Sequence, residues 1–97
     1  MKPQVKVPLA KIKKFCRDHH IIKFSLFGSV LTDRFNKKSD IDVLVEFDSD
    51  HIPSFFDLAD MQFELEFFFN RSVDLRTPND LSVYFREKVV SKAHRLV

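Results

Sequence analysis

The fold is decided by residues 39–47, which read Ser-Asp-Ile-Asp-Val-Leu-Val-Glu-Phe. Side chains on a β-strand point alternately to its two faces. An apolar face is therefore formed by Ile41, Val43 and Val45. The opposite face carries Asp40, Asp42, Leu44 and Glu46. This alternation predicts a strand from Asp40 to Phe47.

Strand and helix patterns alternate outward from this stretch. β-branched and aromatic residues predict two further strands, Ile21–Phe27 and Ser72–Arg76. Apolar residues at helical spacing predict the helices Pro8–His20, Val30–Phe35 and Ser54–Phe69, and a last helix from about Leu81 to the C-terminus. A start for that last helix is indicated by Thr77 as N-cap, Pro78 and Asp80. The order predicts an α/β (α+β) fold, in which a small mixed sheet of three or four strands packs with helices.

Length and composition narrow the class of protein. The 97 residues suffice for a single domain, 1–97, and are too few for two. The 16 Lys and Arg residues nearly balance the 14 Asp and Glu residues, and no dense basic stripe marks a dedicated nucleic-acid binder. No apolar run approaches membrane-spanning length and no secretory signal is present, which predicts a cytoplasmic protein. The 12 phenylalanines indicate either a Phe-rich core or an interface.

The only glycine of the chain, Gly28, lies between the first predicted strand and the helix after it, and Ser29 follows. Glycine lets the backbone turn sharply or approach a ligand without a Cβ in the way. The N–H groups at a helix start and the Ser29 hydroxyl suit a phosphate, although the two residues alone fit a serine-capped turn better. With one glycine, the usual glycine-rich nucleotide motifs cannot be formed.

Asp40 and Asp42 stand two residues apart on the predicted strand, so their carboxylates share a face, roughly 6–7 Å apart at Cα. Two ionised carboxylates this close repel each other unless a cation lies between them. Mg²⁺ is commonly held by one or two carboxylates, with water and substrate phosphates completing its shell. In the alternative interpretation, Asp40 caps the turn and Asp42 faces solvent. For two aspartates at this spacing and no other evidence, this alternative is favoured.

Asp74 lies between Val73 and Leu75 in the third predicted strand. If that strand pairs with the Asp40–Phe47 strand, the Asp74 carboxylate joins the other two. It would then complete a second metal site or accept the proton of an attacking hydroxyl. An exposed position on an edge strand explains Asp74 equally well.

Together these elements resemble the nucleotidyltransferase superfamily that includes DNA polymerase beta. The likeness is strongest to the minimal nucleotidyltransferases (MNT), antitoxins that are usually encoded beside a HEPN-domain toxin. It is carried by Leu26-Phe27-Gly28-Ser29-Val30-Leu31, by residues 39–47, by Val73-Asp74-Leu75 and by Thr77-Pro78. The resemblance covers about residues 20–97 and implies a nucleotidyltransferase-like fold.

The resemblance implies a role for each matching residue. Gly28 and Ser29 would bind the nucleotide phosphates. Asp40 and Asp42 would bind two Mg²⁺ ions. Asp74 would be the third carboxylate at the metal ions and would activate the acceptor hydroxyl.

One position departs from the family's pattern. Relatives often carry a basic residue shortly after Gly-Ser, where this chain has Thr32. Either Arg34 supplies that phosphate contact, or nucleotide binding is weaker than in relatives.

The activity that the resemblance implies is transfer of a nucleoside monophosphate, AMP from ATP, onto a hydroxyl of a partner protein. A chain of 97 residues leaves little material for an acceptor-binding domain, so a partner should bring the acceptor. In the family this partner is the HEPN toxin, and a homo-oligomer is also compatible with the sequence. The alternative is a non-catalytic binding module that neutralises its partner by forming a complex, for which Thr32 and the many phenylalanines argue.

Overall fold

A mixed sheet of four strands lies at the centre of residues 5–97, which the computed structural model describes. The first four residues of the expected 1–97 domain lie outside the described residues. The strands are β1 (Ile21–Phe27), β2 (Ile41–Phe47), β3 (Val73–Arg76) and β4 (His94–Arg95). The helices are α1 (Leu9–Asp18), α2 (Phe55–Phe69) and α3 (Val83–Lys92), with short 3₁₀ turns at Gly28–Leu31 and Pro78–Asp80.

The strand order is β3-β2-β1-β4. β1 pairs antiparallel with both β2 and β4, whereas β2 and β3 run parallel because α2 connects them as a crossover. In this register Asp42 stands opposite Phe27 on one side and opposite Asp74 on the other. The mixed sheet with helices packed on it confirms the predicted fold class.

α1 and α2 pack on one face of the sheet and enclose the core. The apolar face of β2 (Ile41, Val43 and Val45) is completely buried, as its alternation predicts. Phe15 of α1 and Leu65 of α2 belong to the same buried cluster. Burying a side chain of this kind contributes about 1.5–3 kcal/mol, so the core fixes the position of β2 and of the carboxylates on its other face.

α2 begins and ends where its sequence predicts. Ser54 is the N-cap, and it forms a capping box with Asp57 through hydrogen bonds of 3.0 and 3.1 Å. Asn70 ends the helix in the left-handed conformation, with φ 53°, which asparagine tolerates better than most residues. No helix in residues 5–97 is long and apolar enough to cross a membrane.

The helix predicted at Val30–Phe35 is wrong in both place and type. The chain instead forms a 3₁₀ turn at Gly28–Leu31, after which Thr32 is extended. The Thr32 N–H and hydroxyl both donate to Ser29 O, each at 2.9 Å. This local side-chain hydrogen bond competes with continuation of a helix, and the apolar pattern did not reveal it.

The last predicted helix is correct in its middle and wrong at both ends. Thr77 and Asp80 do form a capping box, but it closes the separate 3₁₀ turn Pro78–Asp80. α3 then starts after Ser82, and beyond Lys92 the chain becomes strand β4. Leu96 N donates to Phe24 O at 2.8 Å, so pairing with the open edge of β1 overrides the helical pattern.

Candidate active site

The carboxylates of β2 and β3 meet where both strands begin and β1 ends. Asp42 is half-buried and faces Asp74 directly across the parallel ladder. The other neighbour of Asp42 is Phe27, so Gly28 follows immediately beside it. The register thus brings together three predicted site residues from three separate segments: Gly28, Asp42 and Asp74.

Gly28 is required by the geometry of this junction. Its φ is +75°, in the region that disfavours residues with a Cβ. A Cβ built on Gly28 would overlap the carboxylate oxygen Oδ2 of Asp42. The glycine backbone therefore lies directly against the Asp42 carboxylate, and only glycine permits this approach.

Asp42 has an electrostatic environment that opposes its negative charge. Its pKa is raised to about 6, first by burial and then by the like charges of Asp74 and Asp40. Arg76 acts in the opposite direction. The three carboxylates that the sequence selects are therefore close enough to repel one another, and a cation placed among them would relieve this cost.

Asp74 is held from two directions. The Arg76 Nε donates to Asp74 Oδ1 at 3.0 Å, which fixes the carboxylate near Asp42. Below it, the α2 side chains of Glu66 and Gln62 accept hydrogen bonds from the N–H groups of Val73 and Leu75, at 3.0 and 3.5 Å. Since β3 is an edge strand, these bonds satisfy donors that no further strand could reach.

Asp40 is exposed and precedes the first residue of β2. The turn that leads to it is held by Arg71, whose Nη1 donates to Asn36 O at 2.8 Å and to Ser39 O at 3.0 Å. The Arg71 guanidinium also lies 4.3 Å from the centre of the Phe35 ring. Arg71 thus anchors the start of β2 from the opposite side of the turn, a role that its sequence position did not reveal.

The remaining predicted site residues, Ser29 and Arg34, differ in placement. Ser29 is half-buried in the 3₁₀ turn beside Gly28 and Asp42. Arg34 is exposed beyond Thr32, and its backbone N–H donates to the Thr32 hydroxyl at 3.2 Å. Arg34 is not among the groups that influence Asp42, whereas Arg76 is.

The donor set fits Mg²⁺ rather than a metal held by protein alone. Within residues 5–97, no three His, Cys, Asp or Glu side chains converge into a ready-made metal cage. Mg²⁺ does not need one, because it is usually held by one or two carboxylates together with water and substrate phosphates. The adjacent, mutually repelling carboxylates of Asp42 and Asp74 supply such a partial shell.

A cleft of about 690 Å³ opens next to this junction. Its walls are Phe27, Gly28, Leu31 and Thr32 on one side and Lys88, Val89, Lys92, Ala93 and His94 on the other. Gly28 therefore belongs both to the carboxylate junction and to the wall of the cleft. The contribution of α3 to this cleft could not be predicted, because it depends on how the C-terminal segment folds back onto β1.

The fold agrees with solved structures. A chain of a toxin–antitoxin crystal structure with AMP-PNP superposes with a TM-score of 0.76 at 24% identity, covering 94% of this chain and 73% of that one. A chain described as a "putative minimal nucleotidyltransferase" gives 0.73 at 27% identity, covering 88% and 85%. A chain from the complex of a tri-AMPylated Shewanella oneidensis HEPN toxin with MNT antitoxin gives 0.66 at 24%, covering 92% and 68%. The class defined by the fold is thus that of the nucleotidyltransferases.

Sequence comparison leads to the family itself. The nucleotidyltransferase domain family matches residues 9–96. A Methanocaldococcus jannaschii protein named "Putative protein adenylyltransferase" is 32% identical over 90 residues, which are 92% of this chain and 90% of that protein. The chain belongs to the nucleotidyltransferase domain family, and the resemblance drawn from its motifs is confirmed.

Proposed function

We propose that this chain transfers AMP from ATP to a hydroxyl side chain of a partner protein. The observation that carries the proposal is the position of Asp42, which lies between the Gly28 backbone and the Asp74 carboxylate. A phosphate group at Gly28 and Ser29 would therefore lie beside the carboxylates. Family membership and the relative named as an adenylyltransferase support the choice of reaction.

In the proposed reaction, the acceptor oxygen attacks the α-phosphorus and forms a new P–O bond. The bond from that phosphorus to the β-phosphate oxygen breaks, and pyrophosphate leaves. Asp74 accepts the proton of the attacking hydroxyl, and Arg76 orients its carboxylate for this purpose. Bound Mg²⁺ would supply charge neutralisation on the phosphates, with Asp40 and Asp42 as its protein ligands beside Asp74.

The partner that we propose is a HEPN-domain toxin, as in the antitoxin complexes to which the fold is similar. The outer face of α2 supports a protein partner. Phe56, Phe63 and Phe67 are 80, 72 and 84% exposed there, on the side opposite the buried Met61 and Leu65. Large apolar side chains that are exposed together mark a surface for protein interaction, so this face suits a covering surface.

The charge of α2 narrows the chemistry of that surface. The helix has no lysine or arginine, and Asp60 and Glu64 are its exposed acidic residues outside the capping box. A toxin surface that fits α2 would present apolar side chains with a basic rim.

We place the reaction in the cytoplasm, because it consumes ATP, which is abundant in that compartment.

Transfer can be tested with a HEPN-domain protein as the candidate partner. The two proteins are incubated with Mg²⁺ and ATP labelled at either the α- or the γ-phosphate. AMP transfer labels the partner from α-labelled ATP and leaves it unlabelled from γ-labelled ATP. The double variant Asp40→Asn/Asp42→Asn should lose at least about 1,000-fold in rate, because it removes charges that act in the transition state.

The matched control is Asp50→Asn, since Asp50 is an exposed aspartate in the loop after β2, away from the cluster. This variant should label the partner as the wild type does. Full transfer by the Asp40→Asn/Asp42→Asn variant would contradict the mechanism.

A second candidate function is favoured by the same exposed face of α2. The chain would then neutralise the toxin by covering it, without chemistry. In that case toxin inhibition would occur without ATP and would survive the Asp40→Asn/Asp42→Asn substitutions. Loss of toxin inhibition without ATP, or in the Asp40→Asn/Asp42→Asn variant, would exclude neutralisation by binding alone.

A further inference from the structure

The cleft beside Gly28 contains two cations that the proposed reaction does not yet use. Lys88 and Lys92 stand four residues apart on α3, so both side chains lie on one helix face. Both are exposed, and within residues 5–97 neither takes part in an ion pair. Like charges at this spacing destabilise a helix slightly, and an anion between them would remove that cost.

The carboxylate side of the junction is short of positive charge. Arg76 is the cation that acts on Asp42, and its guanidinium is already bonded to Asp74. Thr32 contributes a hydroxyl to the cleft, and that hydroxyl already donates to Ser29 O. A triphosphate at Gly28 therefore needs cations from elsewhere in the fold.

The remaining walls of the cleft include apolar side chains, those of Phe27, Leu31 and Val89. Hydrogen bonds from an ammonium group to a phosphate are charge-assisted, which makes them stronger than bonds between neutral groups. The cleft thus combines an entry at Gly28, apolar walls and two ammonium groups on one face.

We propose that Lys88 and Lys92 bind the β- and γ-phosphates of ATP and neutralise the charge that develops on the leaving pyrophosphate. This inference rests on the proposed function and assigns the phosphate contact to α3, whereas the resemblance to the family offers Arg34 for it. The cation comes from the last helix of the fold and not from the segment after Gly-Ser. The two lysines hold the phosphates against Gly28, whose backbone also lies against Asp42.

The test measures binding by calorimetry with three probes: ATP with Mg²⁺, inorganic tripolyphosphate and AMP. Lys88→Gln and Lys92→Gln should each weaken the binding of ATP and of tripolyphosphate by about fivefold, as expected for exposed charged contacts, and together by at least about tenfold. AMP binding should change by less than about twofold, because AMP lacks the phosphates that the lysines contact. The double arginine variant, Lys88→Arg/Lys92→Arg, should keep most of the affinity for ATP.

The matched control is Lys13→Gln, because Lys13 is exposed on α1, away from the cleft. It should bind all three probes as the wild type does. Unchanged ATP affinity in the Lys88→Gln/Lys92→Gln variant, or an equal loss for AMP, would overturn the inference. The proposed function would still stand in either case if the Asp40→Asn/Asp42→Asn variant had lost transfer. A wild-type chain that binds no ATP would overturn both proposals.

Discussion

The carboxylate cluster and the outer face of α2 differ in chemistry, yet each makes the isolated chain less stable than it would be with a ligand. In the cluster, Asp42 is half-buried beside Asp74, and its pKa is raised to about 6. On α2, Phe63 and Phe67 keep large apolar surfaces in water. A cation would relieve the first cost and a protein surface the second. The molecule thus concentrates unfavourable interactions at the two places where we propose that it binds something.

The two regions also differ in how tightly the fold specifies them. Asp42 is fixed by strand register on both sides and by the close approach of Gly28. The outer face of α2 is fixed only by the helix that carries it. Substitutions in the cluster should therefore change both stability and ligand binding, whereas those on the α2 face should change binding alone.

The largest expected effect is that of Gly28→Ala. The new Cβ meets Asp42 Oδ2, and φ +75° is unfavourable for alanine. We expect a loss of about 2–4 kcal/mol in the free energy of unfolding, from backbone strain together with overpacking. ATP binding should be lost as well, because Asp42 must move. Urea denaturation and calorimetry measure the two effects.

Asn70→Ala is the control for the backbone contribution. Asn70 also has a positive φ, 53°, but it is exposed at the end of α2. Its substitution should cost only about 1 kcal/mol. Gly28→Ala in an Asp42→Ala background should recover the part of the loss that comes from overlap. Equal costs for Gly28→Ala in both backgrounds would contradict the proposed contact.

The next effect concerns partner binding. Phe63→Ser and Phe67→Ser should each weaken the complex with the HEPN-domain protein by about 2 kcal/mol, as for buried aromatic anchors in interfaces. The stability of the isolated chain should stay within about 0.5 kcal/mol, since both side chains are in water. Tyr84→Ser is the control, because Tyr84 is 89% exposed on α3. Unchanged affinity in both α2 variants would place the partner elsewhere.

The sequence predicted the parts of the fold that local chemistry specifies. The alternation in residues 39–47 located β2 and its carboxylate face, and the helical spacing of apolar residues located α2. The sequence did not show that β2 pairs with β3, the pairing that brings Asp74 beside Asp42. Its prediction for Asp74 was therefore conditional on that pairing. Strand pairing is a long-range property, and short sequence patterns do not specify it.

What the sequence could not show depends on contacts between distant segments. β4 forms because residues near the C-terminus pair with the open edge of β1, where Leu26 stands opposite His94. The same return brings Lys88 and Lys92 opposite Gly28. Arg76 shares a strand face with Asp74, two residues earlier, but only the structure shows the hydrogen bond between their side chains. These contacts complete the candidate site around a motif that the sequence did identify.

The smallest expected effect separates the charge of Asp42 from its shape. The Asp42 pKa is 3.8 in its ordinary state and about 6 in the folded chain. Between these values the folded chain holds the proton more tightly than the unfolded chain, so stability falls as pH rises from about 4 to 6. Since Asp42 is partly exposed, we expect the fall to be about 1 kcal/mol, less than the full shift implies.

Asp42→Asn should remove this dependence, because asparagine does not titrate. Urea denaturation of both proteins from pH 4 to 7.5 should show curves that diverge between pH 4 and 6, with the variant more stable above pH 6. Mg²⁺ at pH 7.5 should narrow the gap, since a cation that binds the folded wild type stabilises it by mass action. Curves that stay parallel across this range would show that the carboxylate is not under repulsion. A gap that Mg²⁺ leaves unchanged would show that the repulsion is not relieved by the metal.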